Sequence, residues 1–168
     1  MSADLLLKKF GSLTEVQKQV IGPVAEGRNL IIIAPTGSGK TESAAIPILK
    51  KISDQKLEGI AAVYITPLKA LNRDLLKRLT EWAKDLGIAI SVRHGDTSQT
   101  ERALQAKNPP QFLITTPETL QAILPAKKIG EALRNVKFVI VDELHELVDD
   151  KRGAQLSLGL ERLAENAG

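Results

Sequence analysis

Residues 30–41, Leu-Ile-Ile-Ile-Ala-Pro-Thr-Gly-Ser-Gly-Lys-Thr, constrain this chain more than any other stretch. Leu30 to Ile33 form a short apolar run, the pattern of a strand buried on both faces. A glycine-bearing loop follows, then Lys40, Thr41 and a helical stretch. This strand–loop–helix order is what a phosphate-binding P-loop requires. Gly37 and Gly39 admit backbone angles closed to other residues, so successive N–H groups along Thr36-Gly37-Ser38-Gly39 can point at one anion. The helix that begins near Gly39 adds its positive end. Lys40 is placed for the β- and γ-phosphates of a nucleotide, and the Thr41 hydroxyl for Mg²⁺. The generic pattern opens with Gly, and Ala34 stands there instead. A glycine-rich turn with a chance Gly-Lys-Thr is the competing reading, and the flanking elements argue against it.

The chain has 168 residues, enough for one domain that buries roughly 70% of its unfolded surface. Aromatic residues are only 3%, so the core is expected to be Leu, Ile, Val and Ala. The absence of cysteine excludes disulfides and thiolate chemistry, and two histidines, His94 and His145, are too few for a zinc centre without other ligands. No apolar stretch approaches membrane-spanning length and no signal-peptide pattern opens the chain, so a cytoplasmic protein with no membrane partner is the expectation. A net charge of +3 neither proves nor excludes a nucleic-acid partner.

Residues 3–10 read as a short amphipathic helix ending at Gly11. Thr14-x-x-Gln17 is a capping box that opens a second helix, expected to be interrupted by Gly22-Pro23 and ended by Gly27. The helix after the loop runs to about Ile52 and contains Pro47, expected to bend it. Residues 53–59 are a loop, and Ile60 to Thr66 a strand stopped by Pro67. Leu68 to Leu86 is a long helix whose stripe is Leu68, Leu71, Leu75, Leu79, Trp82 and Leu86, which makes Trp82 a core residue rather than a stacking platform. Lys69, Arg73 and Lys77 share another face, a solvated one for Arg73 and Lys77. Ile88 to Arg93 is the next strand, followed by His94-Gly95-Asp96, where His94 reads as a structural strand-end residue. Ser98-x-x-Glu101 caps a helix to about Lys107. Phe112 to Thr115 is a strand, Thr116 caps the next helix with Pro117 at its first position, and Lys137 to Val141 is the fifth strand. A last helix covers about Arg152 to Glu165.

Alternation of strands and helices argues an α/β fold, a parallel sheet with right-handed crossovers and helices on both faces. Ligands in such sheets bind at the carboxyl ends of the strands. The phosphate loop, Thr66-Pro67, His94-Gly95-Asp96, Thr116-Pro117-Glu118 and Asp142-Glu143 all fall there. Asp142, directly after an apolar strand, stands where a carboxylate holds Mg²⁺ beside a P-loop. Glu143 is placed to orient and deprotonate an attacking water. The competing reading of both acids is a helix N-terminal cap.

Ala34-Pro-Thr-Gly-Ser-Gly-Lys-Thr41 together with Asp142-Glu-Leu-His145 resembles the first RecA-like domain of a superfamily 2 DExH-box helicase, over nearly the whole chain. Lys151-Arg152-Gly153 and Leu160-Glu-Arg-Leu163 make it look most like the large helicase-related (Lhr-like) group. The resemblance implies a three-layer RecA-like P-loop domain over residues 1–168. It implies ATP and Mg²⁺ as ligands, Lys40, Asp142 and Glu143 as catalytic residues, and Thr41 and Asp142 at the metal. Phe10 and Gln17 match its adenine-recognition segment, and for Gln17 that role competes with the capping box. Pro67, Lys69, Gly95, Asp96, Thr116 and Pro117 match segments that track a nucleic-acid backbone through loop N–H groups, helix starts and one cation, without reading sequence. His145 is the family's link between nucleotide and strand sites.

The family motor also has a further strand after the Asp-Glu strand and a second RecA-like domain that supplies arginine fingers. Neither is in these 168 residues. An arginine finger is worth about 10³–10⁵ in rate, so the chain alone is expected to bind ATP, hydrolyse it feebly and unwind nothing, as a fragment of a longer enzyme. The missing strand normally separates the P-loop strand from the Asp-Glu strand. Its loss is expected to leave unpaired edges or force those two strands together, giving a rearranged sheet, a swapped dimer or marginal stability. A DNA helicase or translocase is the first reading, tipped from RNA only by the Lhr-like resemblance. The others are an RNA helicase, an ATP-regulated nucleic-acid-binding module without turnover, and a small-molecule P-loop kinase, for which no lid is found.

Overall fold

The computed structural model describes residues 4, 7, 11–68, 73–147 and 151–167, the Arg152 side chain apart, and the chain divides into two compact units, residues 1–55 and 56–168. The expected helix over residues 3–10 lies outside the described residues save for positions 4 and 7.

The first unit pairs helix α1 (Glu15–Glu26) with helix α2 (Lys40–Asp54). The capping box forms as its spacing dictates. The Gln17 N–H donates to Thr14 Oγ1 at 3.2 Å and the Thr14 N–H donates to Gln17 Oε1 at 3.0 Å. Gly27, at φ 85°, ends α1, its N–H and that of Arg28 closing on Val24 and Pro23 carbonyls. The interruption expected at Gly22-Pro23 does not occur, because α1 runs through both residues. Pro23 removes a single rung close to the helix end, and the closing bonds of Gly27 and Arg28 hold the final turn. Pro47 lies inside α2, on a side buried with Ile46, Ile48, Leu49 and Ile52.

The strand expected over Leu30 to Ile33 is not formed. Ile31 is 83% exposed and Ile33 93% exposed. A strand takes its order from a ladder partner, and none pairs with these residues among those described. The apolar run is present without the sheet that would bury it.

The second unit holds a sheet of β1 (Ala62–Ile65), β2 (Ile90–Arg93), β3 (Phe112–Thr115) and β4 (Phe138–Val141), all parallel, in the order β2-β3-β1-β4. The strands β1 and β3 are buried at every position, the mark of strands covered on both faces. Val63, Ile65 and Leu113 pack with Leu120, Ile129, Leu156 and Leu163. These last belong to helices α5 (Pro117–Ile123), α6 (Lys127–Ala132) and α7 (Lys151–Ala167). Tyr64, Phe112 and Ile114 fill the opposite face. β4 is an edge strand, with Val139 40% exposed. Among the described residues β2 and β4 are the two edges of the sheet.

Helix α3 (Arg73–Asp85) buries Leu75, Leu79, Trp82 and Ala83, so Trp82 is core. Leu68, expected on the same stripe, is exposed, and Leu71 lies outside the described residues. Arg73 and Lys77 are exposed, as a solvated face requires. Helix α4 (Gln99–Lys107) starts on the Ser98–Glu101 capping box.

Candidate nucleotide and nucleic-acid sites

The phosphate loop enters α2 at Gly39, which sits at φ 85° with no side-chain cap, while Gly37 sits at φ 78°. Both glycines use the left-handed region that the sequence assigns them. A start on a helix of 15 residues that no side chain caps is the kind of helix end that suits an anion. The Lys40 ammonium bends back onto the loop, donating to the Ala34 carbonyl and to the Pro35 carbonyl at 2.9 Å. These two oxygens hold the charge that a triphosphate would otherwise take. The Ser38 hydroxyl oxygen is buried and has no hydrogen-bond partner. A cradle with a buried, unpartnered hydroxyl, an uncapped helix start and a lysine on exchangeable carbonyls fits a nucleoside triphosphate.

The loop is braced by α1. Thr14 Oγ1 donates to the Ser38 carbonyl at 2.7 Å, and a Cβ built on Gly39 would lie 2.4 Å from Gln17 Nε2. Gln17 is buried, with its Oε1 already engaged in the cap. Phe10 lies outside the described residues, and so does Lys69.

In the second unit the strand order sets out the remaining residues in sequence along the carboxyl edge. His94-Gly95-Asp96 follows β2, Thr116-Pro117 follows β3, Thr66-Pro67 follows β1 and Asp142-Glu143 follows β4. Gly95 and Asp96 are exposed, whereas Pro67, Thr116 and Pro117 are buried. The Thr116 hydroxyl is spent on capping α5, accepting the Thr119 N–H at 3.4 Å. Buried side chains leave backbone groups as the means of contact with a ligand there. His94 is structural, its Nδ1 accepting the Asp96 N–H at 3.2 Å.

Both carboxylate oxygens of Asp142 are engaged. Oδ1 accepts the Glu143 N–H at 3.0 Å, and Oδ2 accepts the Tyr64 hydroxyl. Each oxygen keeps lone pairs for a further donor. Glu143 sits at φ 50°, ψ 41°, a left-handed conformation that costs a residue with a Cβ about 1–2 kcal/mol. Its carboxylate lies 3.4 Å from His145 Nε2, on a largely exposed imidazole. Strain at a strand end of this kind gathers at working sites. The Thr41 hydroxyl in the first unit and the Asp142 carboxylate in the second are each hard oxygen donors, the donor type that Mg²⁺ prefers.

Three contributors were not singled out as functional from the sequence: Tyr64 on Asp142, Thr14 on the phosphate loop, and Arg102. The Arg102 guanidinium donates to the carbonyls of Gly95 at 2.7 Å, Thr97 at 2.8 Å and His94 at 3.3 Å, fastening the loop after β2. Burial first, and then the adjacent charge of Arg102, lower the pKa of Arg93. Tyr64 is the one tyrosine in an aromatic-poor chain, which is the signal that could have drawn attention to it.

A phosphate loop on an uncapped helix, and a parallel sheet with an Asp-Glu pair at a strand end, define a P-loop nucleotide-binding domain of the RecA-like type. The DEAD/DEAH box helicase family matches residues 14–167, and the chain belongs to it. It is 43% identical over 177 residues to the ATP-dependent helicase Lhr-Core of Methanothermobacter thermautotrophicus, covering 96% of this chain and 20% of that protein. The chain thus spans about a fifth of the length of such relatives. The structure of Mycobacterium smegmatis helicase Lhr bound to ssDNA and AMP-PNP superposes with a TM-score of 0.85 at 37% identity, over 98% of this chain and 22% of that one. The DEAD-box helicase Mss116 bound to ssRNA and UDP-BeF superposes with a TM-score of 0.82 at 25% identity, over 99% of this chain and 35% of that one.

Proposed function

We propose that the chain is the ATP-binding motor domain of an ATP-dependent DNA helicase or translocase, part of a longer enzyme with a second RecA-like domain. The observation that carries this reading is the phosphate loop itself, with Lys40 held on two carbonyls in front of an uncapped helix start. Lys40 exchanges those carbonyls for the β- and γ-phosphates, while Thr36 to Gly39 present backbone N–H groups. Thr41 and Asp142 are the residues that would hold Mg²⁺, which would neutralise charge developing on the phosphoryl oxygens. Glu143 orients and deprotonates the attacking water, and His145 beside it links this chemistry to the strand. Gln17 reads the adenine edge with the amide nitrogen that the cap leaves over, and Phe10 packs on the base. Pro67, Lys69, Gly95, Asp96, Thr116 and Pro117 follow the backbone of one strand, which binds without reading sequence.

DNA is preferred over RNA because the similarity to the ssDNA-bound Lhr helicase, at 37% identity, exceeds that to the ssRNA-bound Mss116, at 25%. Because the relatives are about five times longer, turnover and unwinding are assigned to the parent enzyme and only nucleotide binding to this chain. Thermal midpoints of the wild type and Lys40→Ala, with and without Mg-ATP, test the reading. At about 100 times the dissociation constant, linkage gives about 2.7 kcal/mol, a rise of roughly 5–10 °C for a domain of this size. A rise confined to the wild type supports a working site, and no rise in either protein removes it. Stimulation of hydrolysis by DNA rather than RNA strands in the parent enzyme then separates the two helicase readings, and no stimulation by either favours a binding module.

A further inference from the structure

We propose that Tyr64 is a positioning residue for Asp142, fixing the plane of its carboxylate so that the remaining lone pairs stay presented to the hydrated magnesium of a bound nucleotide. The inference rests on the assignment of Asp142 to the metal. Tyr64 lies opposite Ile140 in the β1–β4 register, so the two-residue period of a strand puts Tyr64, Ile140 and Asp142 on one face. The Asp142 N–H still donates to the Ile65 carbonyl at 2.9 Å, which keeps its backbone on the ladder. Its side chain is then held from two directions. The Glu143 N–H is a local bond to Oδ1, made within the turn. The Tyr64 hydroxyl comes from the neighbouring strand to Oδ2 and is the bond that ties the carboxylate to the sheet.

Tyr64 cannot swing away. It is fully buried, and its ring is tilted 38° against Phe112 at a centroid distance of 6.2 Å. The register aligns Phe112 with Ala62, on the same face as Tyr64. A fully buried phenol needs an acceptor, and a purely structural account would treat Asp142 as merely that. The two accounts part on the effect of removing the hydroxyl. A carboxylate released from the sheet keeps its charge but loses its orientation, and groups that orient metal-binding carboxylates typically matter about tenfold or more in metal affinity.

The test uses Tyr64→Phe, which keeps the ring, beside Asp142→Asn. The readout is the Mg²⁺ concentration that gives half of the ATP-dependent rise in thermal midpoint, together with the rise produced by ATP in chelator. Tyr64→Phe is expected to raise the Mg²⁺ requirement about tenfold and to leave the metal-free response unchanged. Asp142→Asn is expected to raise the requirement at least as far. If Asp142→Asn shifts it and Tyr64→Phe does not, the phenol is structural only and the proposal is overturned. If neither shifts it, Asp142 is not at the metal and both proposals fall. Should Tyr64→Phe not fold, the wild type still decides. With one tyrosine in the chain, the tyrosine doublet of the Raman spectrum reads this hydroxyl alone. A doublet that reports a strong donor both before and after Mg²⁺ joins the ATP complex supports the proposal. One that reports a weak donor once Mg²⁺ is bound overturns it.

Discussion

Thr14 Oγ1 donates to the carbonyl of Ser38 across 2.7 Å, so the residue that caps the first helix also holds the phosphate loop. The same hydroxyl accepts the Gln17 N–H at 3.2 Å. One side chain therefore couples helix initiation to the shape of the loop. Removing a capping hydroxyl costs about 0.5–2 kcal/mol. Thr14→Ala is expected to lower the thermal midpoint by a few degrees and also to weaken the ATP-dependent rise, whereas Thr14→Ser preserves both. A variant that loses stability with an undiminished nucleotide response would confine Thr14 to capping.

Gly39 and Gln17 are expected to couple. A Cβ at Gly39 meets Gln17 Nε2 at 2.4 Å, and the φ of 85° adds strain of about 1–2 kcal/mol. The amide is the far end of a flexible side chain, but its other atom, Oε1, is fixed by the Thr14 N–H, so yielding breaks the capping box. Gly39→Ala should therefore cost more than backbone strain alone. In the double variant with Gln17→Ala the clash disappears, and the combined loss should fall short of the sum by about 0.5–3 kcal/mol. Denaturant midpoints of the four proteins measure this. Simple additivity would mean that the two residues do not press on one another.

An acid limb in stability is expected from Glu101. Its pKa is lowered by the hydrogen bond from the Ser98 hydroxyl and then by that from the Ser98 N–H. A folded-state value below the unfolded one means that the unfolded chain binds more protons across the interval between them, so stability rises with pH there. The contribution is complete above the unfolded value and lost as pH falls through the folded one. Because Glu101 is solvent-exposed the effect is small. Its leading cause is a hydrogen bond rather than a distant charge, so added salt should leave most of it. Urea midpoints of wild type and Glu101→Gln should diverge at neutral pH and converge below the ordinary glutamate range. Parallel curves would remove Glu101 as the source.

What could be read from the sequence divides along physical lines. Phe112 to Thr115, set between Pro110 and the Thr116-Pro117 cap, has its boundaries written in local chemistry, and the strand forms over those four residues. The two capping boxes are local in the same sense. Leu30 to Ile33 is as apolar as any strand here but forms none, because a strand is a property of its partner and the run does not encode one. At the candidate sites, the glycine angles of the phosphate loop came from residue type alone. The tie between Tyr64 and Asp142 joins residues 78 apart through the register of two strands, and no spacing rule reaches that far. The left-handed angle at Glu143 is likewise imposed by surroundings, since nothing in a glutamate asks for it.

Exposed apolar strand-like surface should make the isolated chain associate. Ile31 and Ile33 are among its most exposed large hydrophobic residues, and the open edge of β4 carries Phe-Val-Ile-Val without a proline or charge within the strand. Natural edges are usually blunted by such features. Sedimentation over a range of concentrations is expected to show self-association. Ile33→Lys or Val139→Lys should shift the chain toward monomer without lowering the thermal midpoint. A wild type that stays monomeric at high concentration would show that neither surface is adhesive.

Arg102 supplies the last prediction, because its geometry separates a brace from a contact. Its guanidinium is spent on the carbonyls of His94, Gly95 and Thr97, and it holds in shape the loop proposed to meet the nucleic-acid backbone. Lysine cannot reproduce a planar fork that meets several acceptors at once, so Arg102→Lys should behave much like Arg102→Ala. Both are expected to weaken single-strand binding several-fold. The dependence of affinity on salt is the decisive measurement. Each phosphate contact from a cation contributes about 0.7 to the slope of log affinity against log salt for a single strand. A residue that only shapes the loop leaves that slope unchanged while the affinity falls. A slope reduced by about 0.7 in Arg102→Ala but kept in Arg102→Lys would make the guanidinium itself a phosphate ligand and the brace incidental.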